Sequence, residues 1–172
     1  VVMADPCYPC NRELVEAFGG RVVLAPTSAS SRYQLDVESM TAAWTPATSA
    51  VMLATPSNPT GTTITCAEFE DFMRKVPPQV LVALDEAYVE YIRDVDTPLS
   101  TEYLQAFPNL VGLRTFSKAY GLAGARVGYA FSANTEVIDA LNKVALPFGV
   151  NAVAQAGALA SLAAADALLE HT

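Results

Sequence analysis

At 172 residues, with 52% hydrophobic and 16% charged side chains, the chain is sized for one domain with a true core and is not a disordered tail. Its formal charge of −8 excludes the basic face of a typical nucleic-acid binder and disfavours an anionic membrane surface, although a few placed donors can still hold a small anion. No apolar run reaches the ~18 residues of a membrane span and no signal peptide is visible, so the cytosol is the expected compartment.

Apolar runs rich in β-formers recur at 1–4, 21–25, 50–54, 80–84, 110–116 and 126–131. They are continuous rather than alternating, which predicts strands buried on both faces, as in a parallel sheet. Helical patterns lie between them. Leu14, Val15 and Phe18 share a face ahead of Gly19-Gly20, a helix-stop signal. Asp36 is a plausible N-cap for 37–44. Thr65 with Glu68 forms a capping-box pattern before Phe69, Phe72, Met73 and Val76 at i, i+3, i+4, i+7. Asn134 caps a segment whose face is Val137, Ile138, Leu141 and Val144, and an Ala-rich helix is expected over roughly 150–170.

This alternation predicts an α/β fold, a three-layer sandwich with a mostly parallel sheet. The link from 110–116 to 126–131 is too short for a parallel crossover of about a dozen residues, so the last strand is expected to run antiparallel or to sit elsewhere in the sheet. The chain opens on the strand-like "VVMADP" without an initiator methionine and stops at "LLEHT" after a helical pattern. It is therefore expected to be part of a longer protein.

In open α/β sheets, ligands collect at the carboxyl ends of strands. Four such ends carry polar groups: Asp5 to Tyr8, "TPSNPTGT" at 55–62, "DEAY" at 85–88, and "TFSK" at 115–118. Singly, each has an ordinary explanation: a helix cap for Asp85, a core ring for Tyr8, a turn for Asn58 to Gly61, a solvent-seeking amine for Lys118. Together they suit a cofactor with an aldehyde, a phenolic oxygen, a pyridine nitrogen and a phosphate. Lys118 offers an amine for the aldehyde, provided that its site is desolvated. Asp85 offers a buried carboxylate to keep the pyridine nitrogen protonated. Asn58 and Tyr88 offer donors to the phenolic oxygen. Thr115, Ser117 and Arg126 offer hydroxyls and a forked cation to the phosphate, and Tyr8 a flat partner for the ring.

On "ATPSNPTGT", "LDEAYVEY" and "RTFSKAYGLAGARVGYAF", in this order and separation, the chain resembles the fold-type I pyridoxal-phosphate aminotransferases, within them the histidinol-phosphate aminotransferase group. The resemblance covers nearly the whole chain. It implies pyridoxal 5'-phosphate as cofactor, Lys118 as the Schiff-base lysine and proton carrier, Asp85 as partner of the ring nitrogen, and Asn58 and Tyr88 on the phenolic oxygen. It further implies Thr115, Ser117 and Arg126 on the phosphate, Tyr8 stacked on the ring, and a cis bond at Asn58-Pro59. Residues 1–172 would be the cofactor-binding large domain. An N-terminal glycine-led phosphate loop and a C-terminal small domain with the substrate-carboxyl arginine are expected outside the chain, as is a tyrosine lent by the second subunit of a homodimer. Alone, the 172 residues are then expected to show weak transamination or none.

The first substrate expectation is histidinol phosphate with 2-oxoglutarate as amino acceptor, in histidine biosynthesis. An aromatic amino acid such as phenylalanine is the alternative. More remote are a fold-type I lyase or decarboxylase, an aminotransferase-like sensor domain of a transcription regulator, and a scaffold without cofactor. The "CYPC" run has redox spacing, but no second pair for zinc accompanies it, so Cys7 and Cys10 are taken as ordinary thiols and no metal site is expected. Tyr91 is expected to pack, the charges Glu68, Glu70, Asp71, Arg74, Lys75 and Lys143 to be solvated, and His171 receives no role.

Overall fold

The computed structural model describes residues 1–170 and 172; His171 lies outside the described residues. Six strands form one sheet: β1 (Val2–Asp5), β2 (Val23–Pro26), β3 (Ala50–Ala54), β4 (Leu81–Asp85), β5 (Leu110–Thr115) and β6 (Gly128–Phe131), in the spatial order β2-β1-β3-β4-β5-β6. The first five run parallel, and β6 pairs antiparallel with β5. The connections explain the difference: no α-helix lies between β5 and β6, only a loop with a 3-10 turn at Ala123–Ala125, so the chain folds back beside β5 as an antiparallel partner.

The helices are α1 (Pro9–Ala17), α2 (Val37–Ala43), α3 (Cys66–Lys75), α4 (Ser100–Tyr103), α5 (Thr135–Val144), α6 (Ala152–Ala163) and α7 (Ala165–Leu169). Their starts follow from side-chain capping. The Asp36 carboxylate accepts from Ser39 N at 2.7 Å, and the Asn134 amide oxygen from Glu136 N at 2.9 Å. Thr65 and Glu68 exchange bonds as a capping box, with Glu68 N donating to Thr65 Oγ1 and Thr65 N to the Glu68 carboxylate. At the end of α1, Gly19 takes φ 79°, the left-handed geometry of a helix stop. Two elements escaped the sequence pattern. The four-residue α4 is too short to show a period, and the single expected helix over 150–170 divides at Ala164, whose φ of −109° leaves the helical region.

The main core cluster lies on one side of the sheet. Val2, Ala25, Val51, Leu53, Val82, Leu84 and Leu110 point from the strands into a cluster with Met40 of α2 and with Phe69, Phe72 and Met73 of α3. Tyr103, on α4, packs its ring edge-on against Phe69 at 5.1 Å. The opposite face is thinner: Ala50, Met52, Ala54, Leu81 and Ala83 are only half-buried. The expectation of strands buried on both faces holds at the starts of β1 and β5, where Met3 and Val111 are buried beside Val2 and Leu110, and is corrected for β3 and β4, which alternate between buried and half-buried positions. The apolar face expected for α1 is corrected too, since Leu14 is 57% and Phe18 88% exposed. The face of α5 is half-buried, apart from Val144, which is exposed. Among the described residues nothing closes over Leu14, Phe18 and Val144. No helix of the described residues is long and apolar enough to cross a membrane.

Phe69 is fully buried, whereas Thr65 acts through its cap alone. Phe69→Ala should lower stability by roughly 3–5 kcal/mol in urea unfolding of the parent protein. Thr65→Ala should cost only about 1 kcal/mol. Equal losses would show that the cluster on α3 is not the main core.

Candidate active site

The carboxyl ends of β1, β3, β4 and β5 point the same way because these strands are parallel and in register, with Ala54 opposite Asp85 and Asp85 opposite Leu113. The loops that follow therefore converge. Tyr8, Asn58, Asp85, Tyr88, Thr115, Ser117, Lys118 and Arg126 all line one cavity of about 300 Å³. All eight site residues expected from the sequence are thus neighbours in space.

Asp85 ends β4 at the floor of this cavity. Its carboxylate accepts from Ala87 N at 3.0 Å and faces the Asn11 amide at 3.5 Å. Burial raises its pKa above the ordinary carboxylate value and outweighs these donors and the Lys118 ammonium. The Glu86 carboxylate beside it pushes in the same direction as burial. Asn58 Nδ2 donates to the Tyr88 hydroxyl at 3.3 Å, so the two groups expected to act as a pair are one. Asn58-Pro59 is cis, as are Asp5-Pro6 and Thr55-Pro56, and Gly61 closes the same loop at φ 70° with its N–H on Ser57 O at 2.7 Å.

The Lys118 ammonium stands 5.0 Å from the centre of the Tyr88 ring. Here the sequence expectation needs correction. Lys118 is exposed rather than desolvated, and its pKa is raised: the Tyr88 hydroxyl favours the ammonium, and the small effect of burial does not offset it. A neutral amine at this position thus requires a ligand or further chain to displace water and add positive charge.

The loop after β5 is stiffened by Ser117 N donating to Thr115 Oγ1 at 3.1 Å and by Gly121 N on Lys118 O at 2.9 Å. Arg126 sits at φ 58°, in the left-handed region, where the chain turns from a 3-10 segment into β6. One arm of its guanidinium donates to Ala123 O at 2.7 Å; the rest of the fork has no protein partner among the described residues. Tyr8 is the N-cap of α1 and is 41% exposed at the cavity wall.

Sequence reasoning missed Asn11. It lies three residues after Tyr8, one helical turn into α1, and the i, i+3 spacing that places both on one helix face was the available signal. A second cavity of about 530 Å³ adjoins the first and shares Pro56, Asn58 and Tyr88 with it. Tyr91, Ile92, Arg93 and Asp94 complete much of its wall. Cys7, Cys10 and Cys66 are free thiols, and burial, with Asp5 next to it, raises the Cys7 pKa away from reactivity.

A family model for class I and II aminotransferases matches residues 1–172. The chain belongs to this aminotransferase family. An aromatic amino acid aminotransferase of Corynebacterium diphtheriae is 60% identical over 158 residues, covering 92% of this chain and 45% of that protein. One from Rhodococcus jostii is 51% identical over 173 residues, covering all of this chain and 47% of its own. Among solved aminotransferases, histidinol-phosphate aminotransferase from Sinorhizobium meliloti, crystallised with pyridoxal-5'-phosphate, superposes with a TM-score of 0.87 at 36% identity over 99% of this chain and 45% of that one. The chain spans about half the length of the curated relatives it matches.

The donor set in the cavity suits the cofactor that the resemblance implies: one amine, one buried carboxylate, an amide–phenol pair, two hydroxyls and a guanidinium fork with free donors. The cavity also stores an unfavourable charge. The folded pKa of Asp85 is raised, so the contribution of this group to stability is full below its unfolded pKa and is lost as pH rises through the folded one. Asp85→Asn should therefore raise the melting temperature of the cofactor-free parent protein at pH 8, and the gain should vanish below about pH 4, where aspartate is protonated in both states. A variant that melts lower than wild type at pH 8 would contradict the desolvation of this carboxylate.

Proposed function

We propose that the protein carrying this chain is a pyridoxal-phosphate-dependent aminotransferase acting on aromatic amino acids, with 2-oxoglutarate as acceptor. The observation that carries the activity is the single cavity shared by Lys118, Asp85 and Arg126. The substrate choice reverses the order expected from the sequence. Curated relatives of 60% and 55% identity bear the aromatic name, whereas histidinol phosphate enters only through structural neighbours. The adjoining cavity supports the same choice, because Tyr91, Ile92, Pro56 and Pro59 give it apolar walls of a size for an arene.

When bound, pyridoxal phosphate supplies a ring that withdraws electrons from the substrate Cα. The residues of this chain do the rest. Asp85 would keep the ring nitrogen protonated, and the burial that raises its own pKa is the setting in which a cationic partner is most favoured. With the cofactor bound, Asn58 and Tyr88 would donate to its phenolic oxygen. The Thr115 and Ser117 hydroxyls and the Arg126 fork would hold its phosphate, and Tyr8 would cover one ring face. Lys118 would hold the aldehyde, and its amine, once free, would carry the proton of the substrate Cα. Residues 1–172 act as the cofactor-binding large domain, and the substrate carboxyl is held by chain outside them. Exposed apolar residues such as Phe18 and Phe148 support burial against further chain or a second subunit of a homodimer.

A panel of amino donors on the full-length protein tests the substrate. Phenylalanine and tyrosine should exceed histidinol phosphate in kcat/KM by at least tenfold, and the reverse order would restore the histidine reading. Lys118→Ala should lower turnover by about 10²–10⁴-fold or more, the usual scale for a lost proton carrier. Turnover within a few-fold of wild type would remove Lys118 from its role.

A further inference from the structure

Directly behind the cavity lies a buried ionic joint that the reaction does not use. Glu86 is 1% exposed, and its carboxylate takes three bonds from two other elements. Arg114 Nε of β5 donates to it at 2.7 Å, while Ser100 at the start of α4 donates from its N–H at 2.6 Å and from its hydroxyl at 2.7 Å. Arg114 is itself held, with its guanidinium carbon 5.3 Å from the centre of the Phe131 ring on β6. The backbone has been cleared for this contact. A Cβ at Gly112 would come within 2.4 Å of both the Ser100 hydroxyl and the Phe131 ring. Close by, Glu90 keeps a buried carboxylate oxygen without a hydrogen-bond partner among the described residues, and its pKa is raised by burial despite the Arg114 charge.

The placement is specific. Glu86 follows Asp85, Arg114 precedes Thr115, and Glu90 lies two residues after Tyr88. Successive strand residues face opposite ways, so one member of each adjacent pair lines the cavity and the other enters the joint. A buried ion pair is weak evidence for stability, since apolar residues of the same shape often serve as well. What it supplies is side-chain stiffness at the ends of two strands whose register the backbone ladder already sets.

We propose that the Glu86–Arg114–Ser100 joint is a positioning device, which locks the end of β4 to the end of β5 so that Asp85 and the Thr115–Lys118 loop engage the two ends of one rigid ligand together. The inference rests on the cofactor reading above. Without the joint, a ring nitrogen on Asp85 and a phosphate on Thr115, Ser117 and Arg126 are no longer satisfied at the same time. The benefit of carrying both groups on one molecule is then reduced.

The test compares pyridoxal phosphate with pyridoxal, which lacks the phosphate, on the full-length protein by absorbance titration well below the melting temperature. In wild type the ratio of the two dissociation constants reports how well the halves cooperate. In Glu86→Gln, which keeps the shape and loses the charge, this ratio should shrink at least tenfold. Met73→Ala removes core far from the cavity and serves as the control for lost stability; its ratio should stay within twofold of wild type. Should Glu86→Gln fail to fold, Arg114→Lys keeps the charge but not the planar donor, and the same loss is expected. An unchanged ratio in a folded variant makes the joint purely structural and overturns the inference alone. Wild-type protein that takes up no pyridoxal phosphate overturns the cofactor reading and the inference with it.

Discussion

The parallel register of β3, β4 and β5 is the constraint on which the site depends. Ala54, Asp85 and Leu113 stand side by side, and the hydrogen bonds between the strands fix this to within the length of one residue. A slip of one position would turn Asp85 out of the cavity and Glu86 into it. Everything chemical then follows from what hangs on the strand ends. The "NPTG" turn, the "DEAY" turn and the lysine loop need no contact with one another along the chain; the sheet delivers them to one place. The core on the α2–α3 side provides the cohesion for that delivery, and it leaves the functional ends free of packing demands.

The charges at the site are arranged in tension. Asp85 is pushed toward neutrality by burial and by Glu86, and Lys118 is held charged by Tyr88. Both shifts run against the roles proposed for these groups. A protonated ring nitrogen would favour the ionised Asp85, and displacement of water around Lys118 would favour its neutral amine. This is the expected behaviour of a site whose stability has been traded for binding.

Much of this was legible in the sequence, for a physical reason. Lys118, Asp85, Asn58 and Arg126 are polar groups at the ends of apolar runs, and such groups stand out because the strands around them are monotonous. The N-caps at Asp36, Thr65 and Asn134 were equally plain, since each acts within four residues of itself. What escaped needs the third dimension. Asn11 meets Asp85 across 74 positions, and Glu86 meets Arg114 from a separate strand and Ser100 from a helix too short to show a period. Leu14, Phe18 and Val144 stay uncovered among the described residues because amphipathic spacing tells which residues must be covered, not what covers them.

The chain has three lysines: Lys118 in the cavity, Lys75 paired with Asp71 on α3, and Lys143 on α5. This allows one decisive measurement. The full-length protein is incubated with pyridoxal phosphate, reduced with borohydride, digested and mapped by mass spectrometry. The account predicts a single modified peptide, the one containing Lys118. A cofactor fixed to Lys75, Lys143 or a lysine elsewhere, with Lys118 unmodified, would contradict it.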